Sequence, residues 1–416
     1  MLLQKLIAIF GMLLIMFIVW LMSENKRQFP WRIVLWGVAL QFIIGTIVLN
    51  FPAGVSFFKW FGDQVAIFLG YSNKAAEFLF GNVINPDFAT TFGFQFAVVV
   101  SVTIIFFSSF VALLYHFGVM QKIVQGMAWV MMKTMGTSGI ESLSGSANVF
   151  MGQTEAPLLI RHYIPSATRS EINSIMVCGF ATIAGGVMAA FVQMGISATI
   201  LITASLISVP GGLYLSKIAI PPLRGTQTIE DIKKVNIPKS ESALVAITNG
   251  ASDGMKLALN IMAMLIAFIA LIAVIDAFLG FISAQLVHIG ISWFPNSLRE
   301  LLGIVFQPFA YLVGIPAEEA KVFGSLVGTK VSINEFIAYS DLSVLIRNGA
   351  ISERTAKLAA FALCGFANFS SIAIQIGGIG SMAPERRSEI AQLGLRAMII
   401  GALTNIMTTI IASILI

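Results

Sequence analysis

The sequence predicts an all-α polytopic membrane protein with eight transmembrane helices, two oppositely oriented re-entrant hairpins, interfacial amphipathic helices and an inverted internal repeat. Its 416 residues are 57% hydrophobic and 11% charged, with a mean hydropathy of +0.89, which is too apolar for the surface of a soluble globule. The tetrapeptide Cys-Gly-Phe-Ala occurs at 178–181 and 364–367, and each copy follows an isolated acidic residue, Glu155 or Glu335. Such a duplication of polar residues is typical of secondary transporters built from internal repeats.

Eight segments are apolar over about the 20 residues that a helix needs to cross the hydrocarbon. They are 5–22, 33–50, 91–114, 172–190, 192–214, 257–283, 356–380 and 390–416. Lys26 and Arg27 follow the first segment, which favours a first span over a cleaved signal peptide. The two cysteines of the chain lie inside the apolar repeats, so we interpret them as packing residues rather than a disulfide.

Basic residues in the connections predict the orientation of these spans. With eight spans, five basic connections fall on one side of the membrane, and both termini fall on the other. The positive-inside rule makes the basic side cytoplasmic and places both termini outside. The connections contain Lys26, Arg27 and Arg32; Lys122 and Lys133; Arg161 and Arg169; Lys217, Arg224, Lys233, Lys234 and Lys239; and Arg386 and Arg387. Topology thus accounts for the net charge of +5, and no nucleic-acid partner is needed. The outside segment 286–355 is an exception, because it also carries basic residues.

Two further apolar intervals, 137–160 and 324–347, are interrupted too often by glycine and polar residues to span the membrane. Each is interpreted as a re-entrant hairpin, whose non-helical tip must be buried in protein or line a wet cavity. Amphipathic stretches at 120–135 and 298–312 precede them and are predicted to lie in the membrane interface. The order span, interfacial helix, hairpin, interrupted helix and span therefore occurs twice, in opposite orientations.

The tip of the first hairpin gathers polar side chains, namely Asn148, Gln153, Thr154 and Glu155. Pro157 suits the first turn of a helix, so we expect a second half-helix to begin near Thr154. The second hairpin carries Glu335. Carboxylates near the bilayer centre cost at least about 2.5–3.5 kcal/mol and mark transport pathways by default. Two of them at equivalent positions of a repeat therefore indicate a binding site between the halves.

The spans that follow the hairpins are interrupted near Thr182 and near Asn368. Interrupted helices release backbone carbonyls that can bind a small cation or a polar ligand. Several polar residues also admit a purely structural interpretation: membrane serines bond to their own backbone, and Asp276 is equally consistent with a structural acid. The histidines at 116, 162 and 288 fall at span ends and are interpreted as interfacial.

Three motifs resemble the concentrative nucleoside transporters in their eight-span bacterial form, over nearly the whole chain. They are Gly152-Gln153-Thr154-Glu155-Ala156-Pro157, Gly328-Thr329-Lys330 with Asn334-Glu335-Phe336, and Cys364-Gly365-Phe366-Ala367-Asn368-Phe369-Ser370-Ser371. The resemblance implies a homotrimer in the bacterial inner membrane that imports nucleosides such as uridine together with sodium, and no enzymatic activity. Sodium would be a coupling ion rather than a cofactor of chemistry.

By the same resemblance, the nucleobase would be read by Gln153, Thr154 and Glu155. The ribose would be held by Glu335, Asn368 and Ser371, and Val187 and Phe366 would pack on the base. Sodium would be bound by the side chains of Asn148 and Thr182 and by the carbonyls of Met151 and Ile183.

The predicted organisation has four parts. Residues 1–115 form scaffold spans 1–3, and 116–215 form the first repeat of a transport domain with hairpin 1 and spans 4–5. Residues 216–285 form a cytoplasmic loop and scaffold span 6, and 286–416 form the second repeat with hairpin 2 and spans 7–8. We expect the transport domain to move against the scaffold during alternating access.

Rival functions remain open at this stage. Proton coupling is an alternative to sodium, because Glu155 and Glu335 can carry protons. A dicarboxylate carrier would need a basic residue at the site, and Lys330 is the one available. A channel would need a continuous polar stripe, whereas spans 1, 2 and 6 are almost wholly apolar. An intramembrane enzyme would show paired aspartates in helices, a His-Glu zinc pattern or a serine–lysine dyad, and the sequence has none of these at a suitable spacing.

Overall fold

The computed structural model describes residues 2–81, 95–222 and 241–416, and all regular secondary structure in these ranges is helical. The α-helices are α1 (Leu2–Leu21), α2 (Trp31–Leu49), α3 (Pro52–Gly70), α4 (Ser72–Phe80), α5 (Phe96–His116), α6 (Val119–Met135), α7 (Gly139–Ala147), α8 (Arg169–Ala181), α9 (Gly185–Gln193), α10 (Ala198–Ala219), α11 (Ala243–His288), α12 (Leu298–Val313), α13 (Ala317–Ser332), α14 (Glu335–Arg347), α15 (Glu353–Leu363), α16 (Phe369–Met382) and α17 (Arg387–Leu415). Short 3₁₀ turns occupy Ala156–Ile160, Ile164–Ser166 and Pro384–Arg386. The predicted all-α fold class is therefore confirmed.

Six helical stretches in the described ranges are long and apolar enough to cross a membrane. They are Trp31–Leu49, Ala97–His116, Arg169–Gln193, Ala198–Ala219, Ala243–His288 and Pro384–Leu415. The other two predicted spans correspond to α1, which is apolar over Lys5–Leu21, and to the interrupted pair α15 and α16. The start of the predicted third span, 91–94, lies outside the described residues.

Two of the predicted spans are interrupted, as the glycine and polar residues in them indicated. Break 1 (182–184) separates α8 from α9, and break 2 (364–368) separates α15 from α16. Thr182 ends α8 in an extended conformation, with φ −123° and ψ 169°. Asn368 is extended as well, and its side-chain oxygen accepts a hydrogen bond from the backbone N–H of Ser371 at 2.9 Å. Each break therefore places non-helical backbone inside a buried segment.

The two hairpin regions have unequal arms. In hairpin 1, α7 is followed by the turn 148–155 and the 3₁₀ turn Ala156–Ile160. The expected half-helix from Thr154 is thus wrong, because this segment forms two separate 3₁₀ turns. Pro157 would suit a helix start, but Pro165 would clash with a helical carbonyl four residues earlier, so a helix cannot continue regularly through it. In hairpin 2, α13 begins at Ala317 rather than at 324, and α14 begins at Glu335.

The two stretches predicted to be interfacial form helices α6 and α12, close to the predicted bounds. Helix α12 meets α13 at an angle of 116° across a short break.

Two features of the fold were not predicted. Residues 51–81 form α3 and α4, and α11 has 46 residues, about 69 Å at 1.5 Å per residue. That length exceeds the roughly 30 Å of hydrocarbon, so α11 extends well beyond its predicted span.

Small residues and buried amides hold the spans together. Gly250 and Gly254 of α11 lie directly against the backbone of α5 at Ser108 and Ile105, which is the close approach that small residues allow in membranes. Gln41 of α2 donates from Nε2 to the Ile207 carbonyl of α10 at 2.9 Å. Span 3 therefore packs on span 6, and span 2 is hydrogen-bonded to span 5.

Charged residues from several predicted cytoplasmic connections meet at one end of the molecule. Glu24 pairs with Arg169 at 3.1 Å and with Arg396 at 2.6 Å, and Arg169 also approaches Glu389 at 3.6 Å. Partial burial raises the pKa of Glu24, but the hydrogen bonds and charges of Arg169 and Arg396 hold it below its usual value. Arg224, Lys233, Lys234 and Lys239 of the predicted cytoplasmic loop lie outside the described residues.

Two basic residues of segment 286–355 have acidic partners within the same segment. Arg299 pairs with Asp341 at 2.7 Å, and Lys321 pairs with Glu300 at 2.6 Å. Arg354 donates to the carbonyl of Gly314 at 3.1 Å.

Asp276 has a structural contact, since its Oδ1 accepts from the N–H of Leu298 at the start of α12 at 2.7 Å.

Lys217 was predicted to be a loop charge, and this interpretation is wrong. It lies in the last turn of α10 and is 1% exposed. Its Nζ is 2.5 Å from Glu141 Oε2 of α7 and 2.9 Å from Ser170 Oγ. The carboxylate compensates the ammonium, so the lysine is buried as half of an ion pair.

Candidate functional site

The tip of hairpin 1 contacts the first turns of α16, directly after break 2, through the side chain of Gln153. This side chain is 7% exposed, and its Nε2 donates to Ser371 Oγ at 3.0 Å. Its Oε1 accepts from Gln375 Nε2 at 3.0 Å, and the same nitrogen of Gln375 lies 3.1 Å from the carbonyl of Met176. The tip of the first repeat is thus held against the first turns of α16 in the second repeat.

Hairpin 2 contacts the same break through Glu335. Its Oε2 accepts from Asn368 Nδ2 at 2.8 Å, and the two side chains are 4% and 1% exposed. Asn334 caps α14 by accepting from the N–H of Ile337 at 3.0 Å, so Glu335 sits in the first turn, where the helix dipole favours a carboxylate. The Oδ1 atom of Asn368 also caps α16 by accepting from the N–H of Ser371, so both the nitrogen and the oxygen of its amide are held by hydrogen bonds.

These contacts form one continuous polar chain, Gln153–Ser371–Asn368–Glu335. The chain joins the two hairpins across break 2, so residues about 180 positions apart in sequence share one site. It offers amide donors, a hydroxyl and a carboxylate within a buried region. Such a set of donors and acceptors suits a neutral solute with many hydroxyl and N–H groups.

The glycines of the duplicated Cys-Gly-Phe-Ala tetrapeptide make room for amide side chains. A Cβ on Gly179 would lie 2.8 Å from Gln375 Nε2 and 3.1 Å from Gln153 Cβ. A Cβ on Gly365 would clash with the amide of Asn405. The cysteines themselves are free and buried, which agrees with their interpretation as packing residues.

The other predicted ligand residues lie near this chain but outside it. Thr154 packs against Gly378 of α16, and Val187, 2% exposed, lies in the first turn of α9 after break 1. Phe366 is 9% exposed, and its N–H donates to the carbonyl of Thr182 at 3.2 Å, which joins the two breaks. Glu155 is exposed, and its carboxylate lies over the backbone of Gly152.

The predicted cation ligands lie where hairpin 1 meets break 1. Gly185 N–H donates to the carbonyl of Phe150 at 3.1 Å, which ties the hairpin tip to the start of α9. Asn148 is fully buried; its Nδ2 donates to the Ser144 carbonyl at 3.0 Å, while its Oδ1 has no hydrogen-bond donor among the described residues. Thr182 Oγ1 donates to the Cys178 carbonyl at 2.8 Å, so its lone pairs remain available. A buried oxygen without a donor is the acceptor that a small hard cation uses.

Met151 and Ile183 flank this position on the tip of hairpin 1 and in break 1. The predicted ligand set consists of an amide, a hydroxyl and two backbone carbonyls, and such a neutral set would suit a monovalent cation.

Sequence reasoning missed three buried polar residues: Gln375 and Asn405, which contact Gln153 and the two breaks, and Glu141, which pairs with Lys217. Asn405 Nδ2 donates to the carbonyls of Ala181 and Cys364, both at 2.7 Å. The sequence did contain a signal for Asn405. A lone amide inside an apolar span has an unfavourable transfer free energy, so its presence usually indicates a specific hydrogen bond. Gln375 gave the same signal, because it lies among isoleucine, alanine and glycine residues, whereas Glu141 lies among serine residues and gave none.

Family models match nearly the whole described chain. Residues 10–83 match the model described as Na+ dependent nucleoside transporter N-terminus, 97–198 match nucleoside recognition, and 200–413 match Na+ dependent nucleoside transporter C-terminus.

Curated relatives and solved structures are similar along the full chain. An uncharacterized transporter of Haemophilus influenzae is 40% identical, with 98% of this chain and 97% of that protein covered. Sodium/nucleoside cotransporter 1 of Mus musculus is 38% identical over 99% of this chain, which spans 64% of that longer protein. The structure of CNTnw in an inward-facing substrate-bound state has 37% identity and a TM-score of 0.92, covering 99% of this chain and 98% of that one.

Proposed function

Because the chain belongs to the family of Na+ dependent, concentrative nucleoside transporters, we propose that it imports nucleosides such as uridine by symport with sodium. The family consists of transporters and not of enzymes. The observation that carries the proposal is the buried chain Gln153–Ser371–Asn368–Glu335, which joins both hairpins at break 2.

The hydrogen-bonding groups of a nucleoside match those of this polar chain of four residues. Ribose hydroxyls donate to the carboxylate of Glu335, and charge-assisted hydrogen bonds of this kind are about twice as strong as neutral ones. Asn368 and Ser371 supply the neighbouring donor and acceptor groups. Gln153 has an amide with both a donor and an acceptor, which suits the hydrogen-bonding edge of a nucleobase. Thr154 and Glu155 extend this base-binding surface toward the exposed side of the hairpin tip. Phe366 and Val187 pack on the base.

Sodium fits the neighbouring position in break 1. Asn148 Oδ1, the hydroxyl of Thr182 and the carbonyls of Met151 and Ile183 hold the ion. Binding there joins the tip of hairpin 1 to break 1, and the Phe366–Thr182 hydrogen bond joins break 1 to the nucleoside residues. Sodium therefore raises nucleoside affinity, and nucleoside raises sodium affinity by the same factor.

Transport follows from movement of the two repeats, 116–215 and 286–416, as one body against scaffold spans 1–3 and 6. Hairpins 1 and 2 act as re-entrant segments that enter from the cytoplasm and from outside, respectively. The polar chain between them keeps the ligand site intact while the body moves. The Glu24 ion pairs with Arg169 and Arg396 link span 1 to this body and must break when it moves.

The protein works in the bacterial inner membrane with eight spans and both termini outside. It forms a homotrimer, in which the exposed apolar faces of α11, including Ile266, Val274 and Phe278, contact lipid or a neighbouring subunit. An apolar face of this kind is stable only when lipid or protein shields it from water.

Uptake of labelled uridine into proteoliposomes tests the proposal. An inward sodium gradient should drive accumulation above the outside concentration, and replacing sodium with choline should abolish it. Equal uptake in sodium and choline at fixed pH would refute sodium coupling. Accumulation driven only by a proton gradient would establish the proton-coupled alternative, and no uridine uptake under either gradient would refute the substrate.

A further inference from the structure

Asn405 lies in the middle of α17 and contacts the backbone at both helix breaks. Its side chain is fully buried, and its single Nδ2 donates at 2.7 Å to the carbonyl of Ala181 and at 2.7 Å to the carbonyl of Cys364. Ala181 is the last residue of α8, and Cys364 is the first residue of break 2. One amide therefore joins a break of the first repeat to a break of the second.

These two carbonyls need a donor that the helices cannot provide. The last carbonyls of a helix have no partner within it, and unpaired backbone groups are unfavourable where no water is present. The primary amide of asparagine carries two hydrogens, so a single side chain can satisfy both breaks. Gly365 is what lets this amide approach break 2 so closely.

Lys330 of α13 fixes the orientation of this amide. Its Nζ donates to Asn405 Oδ1 and to the carbonyl of Ala362 at 3.0 Å, and the side chain is 1% exposed. An ammonium group can only donate, so the oxygen of Asn405 must face it and the NH₂ group must face the two carbonyls. The positive charge also lies at the C-terminal end of α15, where the helix dipole favours it.

We propose that Asn405 and Lys330 are positioning residues that hold the two breaks in register and thereby transmit coupling between cation and nucleoside. Neither residue is among the proposed ligand-binding residues. Asn405 links the end of α8, next to Thr182 and Ile183, to the start of break 2, two residues from Phe366. The direct Phe366–Thr182 hydrogen bond runs beside it. The inference rests on the proposed function, because it assigns the route of that coupling.

Equilibrium binding of labelled uridine to the purified full-length protein, in sodium and in choline, tests this inference. Asn405→Asp keeps an acceptor for Lys330 but removes both N–H donors. The ratio of the uridine Kd in choline to that in sodium should fall at least tenfold toward one, while the Kd in choline should change less than threefold. A residue that only stabilised the fold would lower the yield of folded protein or weaken both affinities together.

Thr404→Val is the matched control. Thr404 is the neighbouring residue of α17, is fully buried and donates only to Ile400 of its own helix, at 2.8 Å. This variant should keep the wild-type ratio. Lys330→Met should lower the ratio, and its combination with Asn405→Asp should lower it no further than the stronger single variant, because both act through one contact.

Hydrogen exchange of the wild-type protein gives a test that does not depend on a variant folding. Sodium alone should slow amide exchange in peptides covering both 182–185 and 364–369. Protection confined to 182–185, or a wild-type ratio in Asn405→Asp, would overturn the inference while leaving symport intact. A wild type that binds no uridine at all would instead refute the proposed function.

Discussion

Replacing Glu335 by glutamine tests the ribose contact with the least change in shape. In the structure, Glu335 Oε2 accepts from Asn368 at 2.8 Å. In the proposed site, the other carboxylate oxygen accepts from a ribose hydroxyl. A glutamine that accepts from Asn368 with its oxygen presents its NH₂ group to the ribose hydroxyl, so the charge-assisted hydrogen bond from that hydroxyl to a carboxylate is lost. Losing a hydrogen bond to a charged group costs about 1.5–3 kcal/mol, which corresponds to a roughly 10- to 150-fold weaker uridine affinity.

The assay compares uridine with a deoxyuridine that lacks the contacted hydroxyl, using binding in saturating sodium. Wild-type protein should discriminate against the deoxy analogue, and Glu335→Gln should lose most of that discrimination while remaining folded. Glu353→Gln is the control, because Glu353 is exposed and pairs only with Lys357 at 2.7 Å, so its effect should stay below about twofold. Unchanged discrimination in Glu335→Gln would remove this carboxylate from the ribose site.

Three further predictions concern the cation, a buried ion pair and a charged contact. Asn148→Leu removes the buried Oδ1 without a donor, so sodium stimulation of uridine binding should fall at least tenfold, whereas sodium-free binding should persist. Glu141→Gln leaves Lys217 buried without its carboxylate, which should lower stability by about 3–5 kcal/mol; thermal unfolding in detergent measures it, and an unchanged Tm would contradict the pairing. Glu24→Gln should lower Tm at pH 7, because the pKa of Glu24 is held down in the folded state. That stabilisation is present above the ordinary carboxyl pKa of about 4.3 and is lost as pH falls through the lower folded-state value, so the two Tm curves should converge in acid; a difference that persists there would refute the electrostatic origin.

The sequence predicted the apolar spans and both breaks, because hydropathy and glycine content are local properties. It also identified Gln153, Glu335, Asn368 and Ser371, which the structure brings into one hydrogen-bonded chain. The duplicated tetrapeptide gave the link between the repeats. Its glycines turned out to be the points where amide side chains approach the breaks.

The remaining features depend on contacts between distant segments, which local patterns do not encode. Lys217 looked like a loop charge until the fold placed Glu141 beside it. The second arm of hairpin 1 was expected to be a helix, but it forms two 3₁₀ turns, the second of which contains Pro165. Asp276 was ambiguous in sequence because its partner, the N-terminus of α12, lies 22 residues further along the chain.

A structure of the full-length protein with uridine and sodium bound tests the central claim most directly. The nucleoside should lie between the two hairpins, with its ribose against Glu335 and Asn368 and its base beside Gln153 and Phe366. Uridine bound away from break 2, or contacting one hairpin alone, would contradict a site shared by the two repeats.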